Sequence, residues 1–184
     1  MSPIVTVPNI LTGYRFAVVP VLLFCLYPGA KTWVQLLAFS LFLSAALTDF
    51  ADGYLARKFQ TETVLGKLMD PLADKVLVTV ALVMLIPMGR IPAWVCFLIL
   101  AREMIITGLR GLAAASGVVV AASGLGKFKS IVQLTALCVL IFPLGVLPLP
   151  SLHQLGSILL YGALVLTIWS GIDYFYRFQK IYLK

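Results

Sequence analysis

Residues 49–75, DFADGYLARKFQTETVLGKLMDPLADK, hold four of the five aspartates in a chain of 184 residues that is otherwise strongly apolar. At about 100° per residue, Asp49, Asp52, Gly53 and Ala56 share one helical face, and Gly66, Asp70 and Asp74 share another at i, i+4, i+8. The pattern predicts two helices, each presenting an acidic face. Pro71 does not forbid the second helix, because a membrane helix tolerates proline where neighbours satisfy the freed carbonyl. Gly53, Ala56 and Gly66 add no bulk, which leaves room for a ligand or a second backbone. A carboxylate at the bilayer centre costs roughly 2.5 to 3.5 kcal/mol, so four would oppose insertion by on the order of 10 kcal/mol unless something binds them. A divalent metal is the simplest binder, held in an acidic cleft with small-residue walls.

The donor type narrows the metal. All-oxygen carboxylate clusters suit hard cations such as Mg²⁺ or Mn²⁺, whereas zinc or copper calls for His or Cys ligands. The single histidine, His153, lies far from the motif. Four carboxylates suffice for two ions roughly 3.5 to 4 Å apart, an arrangement that clamps the oxygens of a transferring phosphoryl group. Metal-assisted phosphoryl transfer is the chemistry expected.

Around the motif, 61% hydrophobic and 11% charged residues, with a mean hydropathy of +1.05, exclude an ordinary soluble domain. The expectation is an all-α integral membrane protein. Six transmembrane helices, near 8–28, 33–57, 66–88, 92–115, 126–147 and 153–178, would enclose a polar cleft at the cytoplasmic side. One domain, 1–184, accounts for the whole chain. Asn9, Thr12 and Arg15 interrupt the start of the first span, whose opening turn could lie along the interface. No secretory signal pattern precedes it.

Lysine and arginine set the orientation. Arg57, Lys58, Lys67, Lys127, Lys129, Arg177, Lys180 and Lys184 lie toward one side, against Lys31 and Arg90 on the other. Both termini and the acidic cleft should therefore face the cytoplasm, with the protein in the inner (cytoplasmic) membrane. The net charge of +7 forms no continuous basic stripe, which argues against nucleic acid and for membrane lipid headgroups and phosphorylated substrates as partners. Cys25, Cys96 and Cys138 read as apolar fillers.

The pattern D-x-x-D-G-x-x-A-R, eight residues, G-x-x-x-D-x-x-x-D resembles the signature of the CDP-alcohol phosphatidyltransferases, matched from Asp49 to Asp74 at every specified position. Further segments resemble its glycerol-3-phosphate phosphatidyltransferase branch: Pro8 to Thr12 with Arg15, Asp70 to Lys75, and Ala101-Arg102-Glu103 running on to Thr107 and Arg110. The resemblance implies a homodimeric enzyme that takes CDP-diacylglycerol as donor and sn-glycerol 3-phosphate as acceptor, giving phosphatidylglycerophosphate and CMP. It implies that Asp49, Asp52, Asp70 and Asp74 hold the metal, with Asp74 also the general base. Asn9, Thr12, Gly53, Ala56, Arg57, Thr63 and Gly66 would contact CDP-diacylglycerol, Arg57 offering a guanidinium fork to diphosphate oxygens.

An acceptor phosphate needs its own cations, and Arg102, Arg110, Lys127 and Lys129 are the candidates. Inositol phosphate or phosphatidylglycerol would keep the chemistry and change the acceptor, and a cation or proton transporter is the rival from another class. Structural readings stand beside these. The aspartates could pair with Arg57, Lys58, Lys67 and Lys75, and the arginines could snorkel to the interface. Lys127 and Lys129 could serve topology alone, and Arg15 could meet a lipid phosphate or the cleft. Asp173 and Arg177 read as a local pair at i, i+4, and His153 as a solvated loop residue. Trp33, Trp94, Tyr174, Tyr176 and Tyr182 read as interfacial anchors, and Gly108, Gly111, Gly156, Gly162 and Gly171 as close-packing positions.

Overall fold

The computed structural model describes residues 7–59, 64–115, 124–146 and 149–182. Side chains are described within these ranges except at 7–9, 49–59, 64–68, 70, 71, 127, 150, 181 and 182. Six helices follow in order: α1 (Val7–Cys25), α2 (Thr32–Phe59), α3 (Val64–Leu85), α4 (Ala93–Ala115), α5 (Gly124–Ile141) and α6 (Pro150–Tyr182). All six expected helices are present, and no strand occurs among the described residues. The helix α3 runs unbroken through Pro71.

Gly124–Ile141 and Ser151–Lys180 are long and apolar enough to cross a membrane, while Ile10–Cys25 and Thr32–Thr48 are shorter apolar helices. Charges interrupt α3 and α4. The outer surface carries large apolar side chains such as Phe24, Phe97, Met104, Ile158, Val165 and Trp169, far more than a water-facing surface would expose.

The helices meet at small residues. Ala38, Ala45, Ala73, Ala81, Ala136 and Ala163 are completely buried, which lets backbones approach closely where apolar helices pack in an apolar surround. Leu22, Phe42, Leu77, Leu85, Ile99, Leu137 and Leu140 fill the space between. The helix α1 packs on α2 and α3, and α6 packs on α5 and α4.

Beyond α3 the chain turns at Gly89, whose φ of 70° suits the left-handed conformation glycine adopts without a Cβ penalty. Its amide donates to the Ile86 carbonyl, and the Arg90 amide to that of Leu85, closing a Schellman motif. Arg90 then ties three connections together. Its Nη1 donates to the carbonyls of Leu140 (2.7 Å) and Ile141 (3.2 Å), and Nη2 donates to Gln35 Oε1 (2.7 Å). The last carbonyls of α5 thereby gain a cationic cap, and burial lowers the Arg90 pKa from its ordinary value.

Several expectations change with the structure. His153 is not a solvated loop residue: α6 begins at Pro150, and His153 Nε2 donates to the Phe142 carbonyl (2.9 Å). Tyr174 is buried at 4% exposure instead of anchoring at an interface, while Trp33, Trp94 and Tyr176 are exposed. Arg15 is wholly buried, so it faces the interior and not a lipid phosphate. A Cβ on Gly156 would press on Leu140 at 2.8 Å, and one on Gly171 would meet Arg102 at 3.2 Å, as close packing requires. At Gly108, Gly111 and Gly162 it would meet nothing within 4 Å. Cys25 and Cys96 are buried fillers, as expected.

Candidate active site

Helices α3, α4 and α5 leave a cavity of about 100 Å³ between them. Asp74, Lys75 and Thr79 of α3, Glu103 of α4, and Lys129 and Gln133 of α5 supply its main polar lining. One water needs roughly 10–15 Å³ by this measure, so the space admits a small polar molecule. Its helical origin is simple: Asp74, Lys75, Val78 and Thr79 form one face of α3, and Lys129 and Gln133 lie one turn apart on α5.

Glu103 is the electrostatic centre. Lys129 Nζ pairs with Glu103 Oε1, and Arg102 Nη1 donates to the same oxygen at 3.2 Å. The Lys129 side chain is only 5% exposed, and an ammonium so enclosed requires a counter-charge. Lys75 Nζ donates to Thr107 Oγ1, and that hydroxyl donates to the Glu103 carbonyl at 2.6 Å. Two ammonium groups and two carboxylates thus line one small volume.

Arg102 turns away from this volume toward α6. Its Nε donates to the Thr167 carbonyl (3.1 Å) and Nη2 to Ser170 Oγ (2.8 Å). The bare Cα of Gly171 makes room for the stem of Arg102. Arg110 lies over the Tyr174 ring, 5.3 Å from its centroid, a cation–π arrangement. Asp173 accepts from Arg177 Nε at 3.1 Å, the local pair expected from their spacing.

Of the residues singled out in the sequence, Asp74 and Lys129 come together at the cavity. Arg102 reaches it only through Glu103, and Arg110 does not line it. Thr12 is buried on α1. Asp49, Asp52, Gly53, Ala56 and Arg57 lie on α2, Gly66 and Asp70 on α3, Asn9 on α1 and Lys127 on α5, but their side chains, and Thr63 entirely, lie outside the described residues. Sequence reasoning passed over Lys75, Gln133, Thr167 and Ser170 as site members. Lys129 and Gln133 at i, i+4, followed on the same face by Leu137, and Thr167 and Ser170 on the buried face of α6 were the signals available.

Among the described residues no three His, Cys, Asp or Glu side chains converge as a metal site. The motif's donor chemistry still fits a hard divalent ion: four carboxylates, of which the described one, Asp74, lines a polar cavity.

Residues 5–169 match the family model for CDP-alcohol phosphatidyltransferase. A curated protein of Rickettsia bellii (strain RML369-C) named CDP-diacylglycerol--glycerol-3-phosphate 3-phosphatidyltransferase is 38% identical over 175 residues, covering 95% of this chain and 96% of its own. A probable phosphatidylglycerophosphate synthase of Mycobacterium tuberculosis (strain ATCC 25618 / H37Rv) is 38% identical over 176 residues, covering 95% and 82%. A cardiolipin synthase (CMP-forming) of Oryza sativa subsp. japonica is 35% identical over 198 residues, covering 98% and 60%. With its aspartate motif inside the matched span and relatives of this kind along nearly its whole length, the chain belongs to the CDP-alcohol phosphatidyltransferase family.

Proposed function

We propose that the protein is a membrane-embedded, divalent-metal-dependent phosphatidyltransferase that converts CDP-diacylglycerol and sn-glycerol 3-phosphate to phosphatidylglycerophosphate and CMP. The observation that carries this reading is the cavity in which Asp74 meets Lys75 and Lys129, in a chain whose relatives bear the corresponding name. The exposed apolar helices support residence in a bilayer, with six spans and the cleft toward the cytoplasm by the lysine and arginine bias. The acyl tails of the donor explain why the enzyme resides there.

In the reaction, the primary hydroxyl oxygen of the acceptor attacks the phosphatidyl phosphorus. Its proton passes to the Asp74 carboxylate, and the bond from phosphorus to the CMP oxygen breaks with its electron pair leaving on CMP. Asp49, Asp52, Asp70 and Asp74 would hold the divalent ions, which when bound offset the diphosphate charge. Asp74 can serve both purposes only if one of its oxygens remains available to the hydroxyl. Lys129, with Lys127, Arg102 and Arg110, supplies positive potential for the acceptor phosphate, while Gly53, Ala56 and Gly66 leave the donor room beside Arg57. Asn9, Thr12 and Thr63 complete the proposed donor contacts, and a homodimer is the proposed assembly.

Purified protein in nanodiscs tests this directly. CMP release should require CDP-diacylglycerol, a divalent cation and sn-glycerol 3-phosphate. Equal release with the acceptor omitted would overturn it. The likeness to a cardiolipin synthase favours one second reading, phosphatidylglycerol as acceptor, which the same assay decides when each alcohol is offered alone.

A further inference from the structure

Gln133 lies on α5 one turn beyond Lys129, is 4% exposed and lines the cavity. Its Oε1 is buried and has no hydrogen-bond partner among the described residues. Buried amide oxygens in native proteins are nearly always satisfied, so an exception beside a polar cavity calls for a partner that is not part of the protein. The final torsion of glutamine is soft, so rotation brings either the oxygen or the nitrogen of the amide to the cavity. Side chains one helical turn apart stand about 5–6 Å apart at Cβ. That separation suits a ligand whose anion and hydroxyl lie a few bonds from each other.

Resting on the acceptor reading above, we propose that Gln133 is a specificity-determining residue that hydrogen-bonds the middle hydroxyl of the polyol phosphate, the hydroxyl that does not attack. Lys129, one turn earlier, and Lys75 across the cavity face the phosphate. Lys75 suits this because its partner among the described residues is the neutral hydroxyl of Thr107, whereas Lys129 is paired with Glu103. The amide thereby distinguishes a polyol phosphate from an alkanol phosphate of equal length, a distinction that charge alone does not make. No proton moves at Gln133, and the transfer step is unchanged.

The test compares sn-glycerol 3-phosphate with 3-hydroxypropyl phosphate, which keeps the phosphate and the attacking primary hydroxyl and lacks the middle one. Full-length protein in phosphatidylcholine nanodiscs is given CDP-diacylglycerol and each acceptor, and CMP release is followed. The wild type should prefer the glycerol acceptor by about 10- to 100-fold in kcat/KM, the range expected for one buried hydrogen bond to substrate. In Gln133→Met the preference should shrink to within about threefold, through a raised KM for sn-glycerol 3-phosphate. Gln133→Asn, which withdraws the amide by one carbon, replaces the methionine variant if that one does not fold and should lose the preference likewise. An unchanged preference in Gln133→Met or Gln133→Asn, or a wild type that uses both acceptors equally, overturns the assignment and means that the amide meets only ordered water. Absence of CMP release by the wild type with any alcohol is a different result, since it removes the transferase reading itself.

Discussion

Glu103 of α4 and Lys129 of α5 form an ion pair at the cavity, and the Glu103 oxygen that holds Lys129 also accepts from Arg102. One carboxylate therefore couples a cavity cation to the α4–α6 contact, because Arg102 continues to Thr167 and Ser170. Glu103→Gln leaves an enclosed ammonium without its counter-charge and should destabilise the fold by about 2–4 kcal/mol. Thermal unfolding in detergent reads this, and the double variant Glu103→Gln/Lys129→Met should recover most of the loss. An unaltered melting temperature in the single variant would mean that the pair is relieved some other way.

Asp74→Asn keeps the shape and hydrogen-bonding size of the side chain while removing its basicity and its charge. CMP release should fall by about 10²- to 10⁴-fold, with the melting temperature nearly unchanged. Activity within tenfold of wild type would take the base role from Asp74.

Chelation should abolish CMP release, and readdition of Mg²⁺ or Mn²⁺ should restore it. Zinc should restore it poorly, since an all-carboxylate set lacks the nitrogen and sulfur donors zinc favours. Full turnover in excess chelator would contradict the metal assignment.

The glycines divide into two classes with opposite expected responses. In Gly156→Ala the new methyl would stand 2.8 Å from Leu140 Cγ and 3.1 Å from Val139 Cγ1, so the α5–α6 contact must spread at a cost of roughly 1–3 kcal/mol. In Gly108→Ala the methyl meets nothing within 4 Å, and the helix should gain up to about 1 kcal/mol from the better propensity of alanine. Matched melting curves check both signs.

Arg90→Met removes three hydrogen bonds that bind the end of α5 and Gln35 to the α3–α4 turn. A loss of about 2–4 kcal/mol follows from stranding those acceptors. Arg90 lies away from the cavity residues in the chain's connections, so the folded fraction should retain its KM for sn-glycerol 3-phosphate. A raised KM at unchanged stability would count against a purely structural role for Arg90.

Much of this was legible in the sequence. Hydropathy located all six helices to within a few residues, and the errors have local causes. The helix α5 stops at Ile141 ahead of Pro143, and α6 starts at Pro150, which suits the first turn of a helix because it has no amide hydrogen to leave unbonded. The proline start is why His153 is helical. The i, i+4 spacing of Asp173 and Arg177 was enough to foresee their pair, because both partners lie on one helix.

Contacts between helices were not legible in the same way. Periodicity tells which residues share a face and says nothing of which helix that face will meet. Of the four basic residues proposed for the acceptor, the sequence favoured Arg102 and Arg110 over Lys127 and Lys129, yet Lys129 faces the cavity, Arg102 is engaged with α6 and Arg110 covers Tyr174. Lys75 and Gln133 gained their interest only from the cavity they line.

The amino-acid order by itself determined the helical content, the clustering of four aspartates and the family, because each depends on composition or on spacing within one or two consecutive helices. The tertiary structure alone decided that Glu103 would neutralise Lys129, that Arg102 would bridge to α6 past Gly171, and that Gln133 would border the cavity with a buried oxygen that no described residue bonds. These depend on packing among α3, α4, α5 and α6, where burial makes each charge or amide demand a partner.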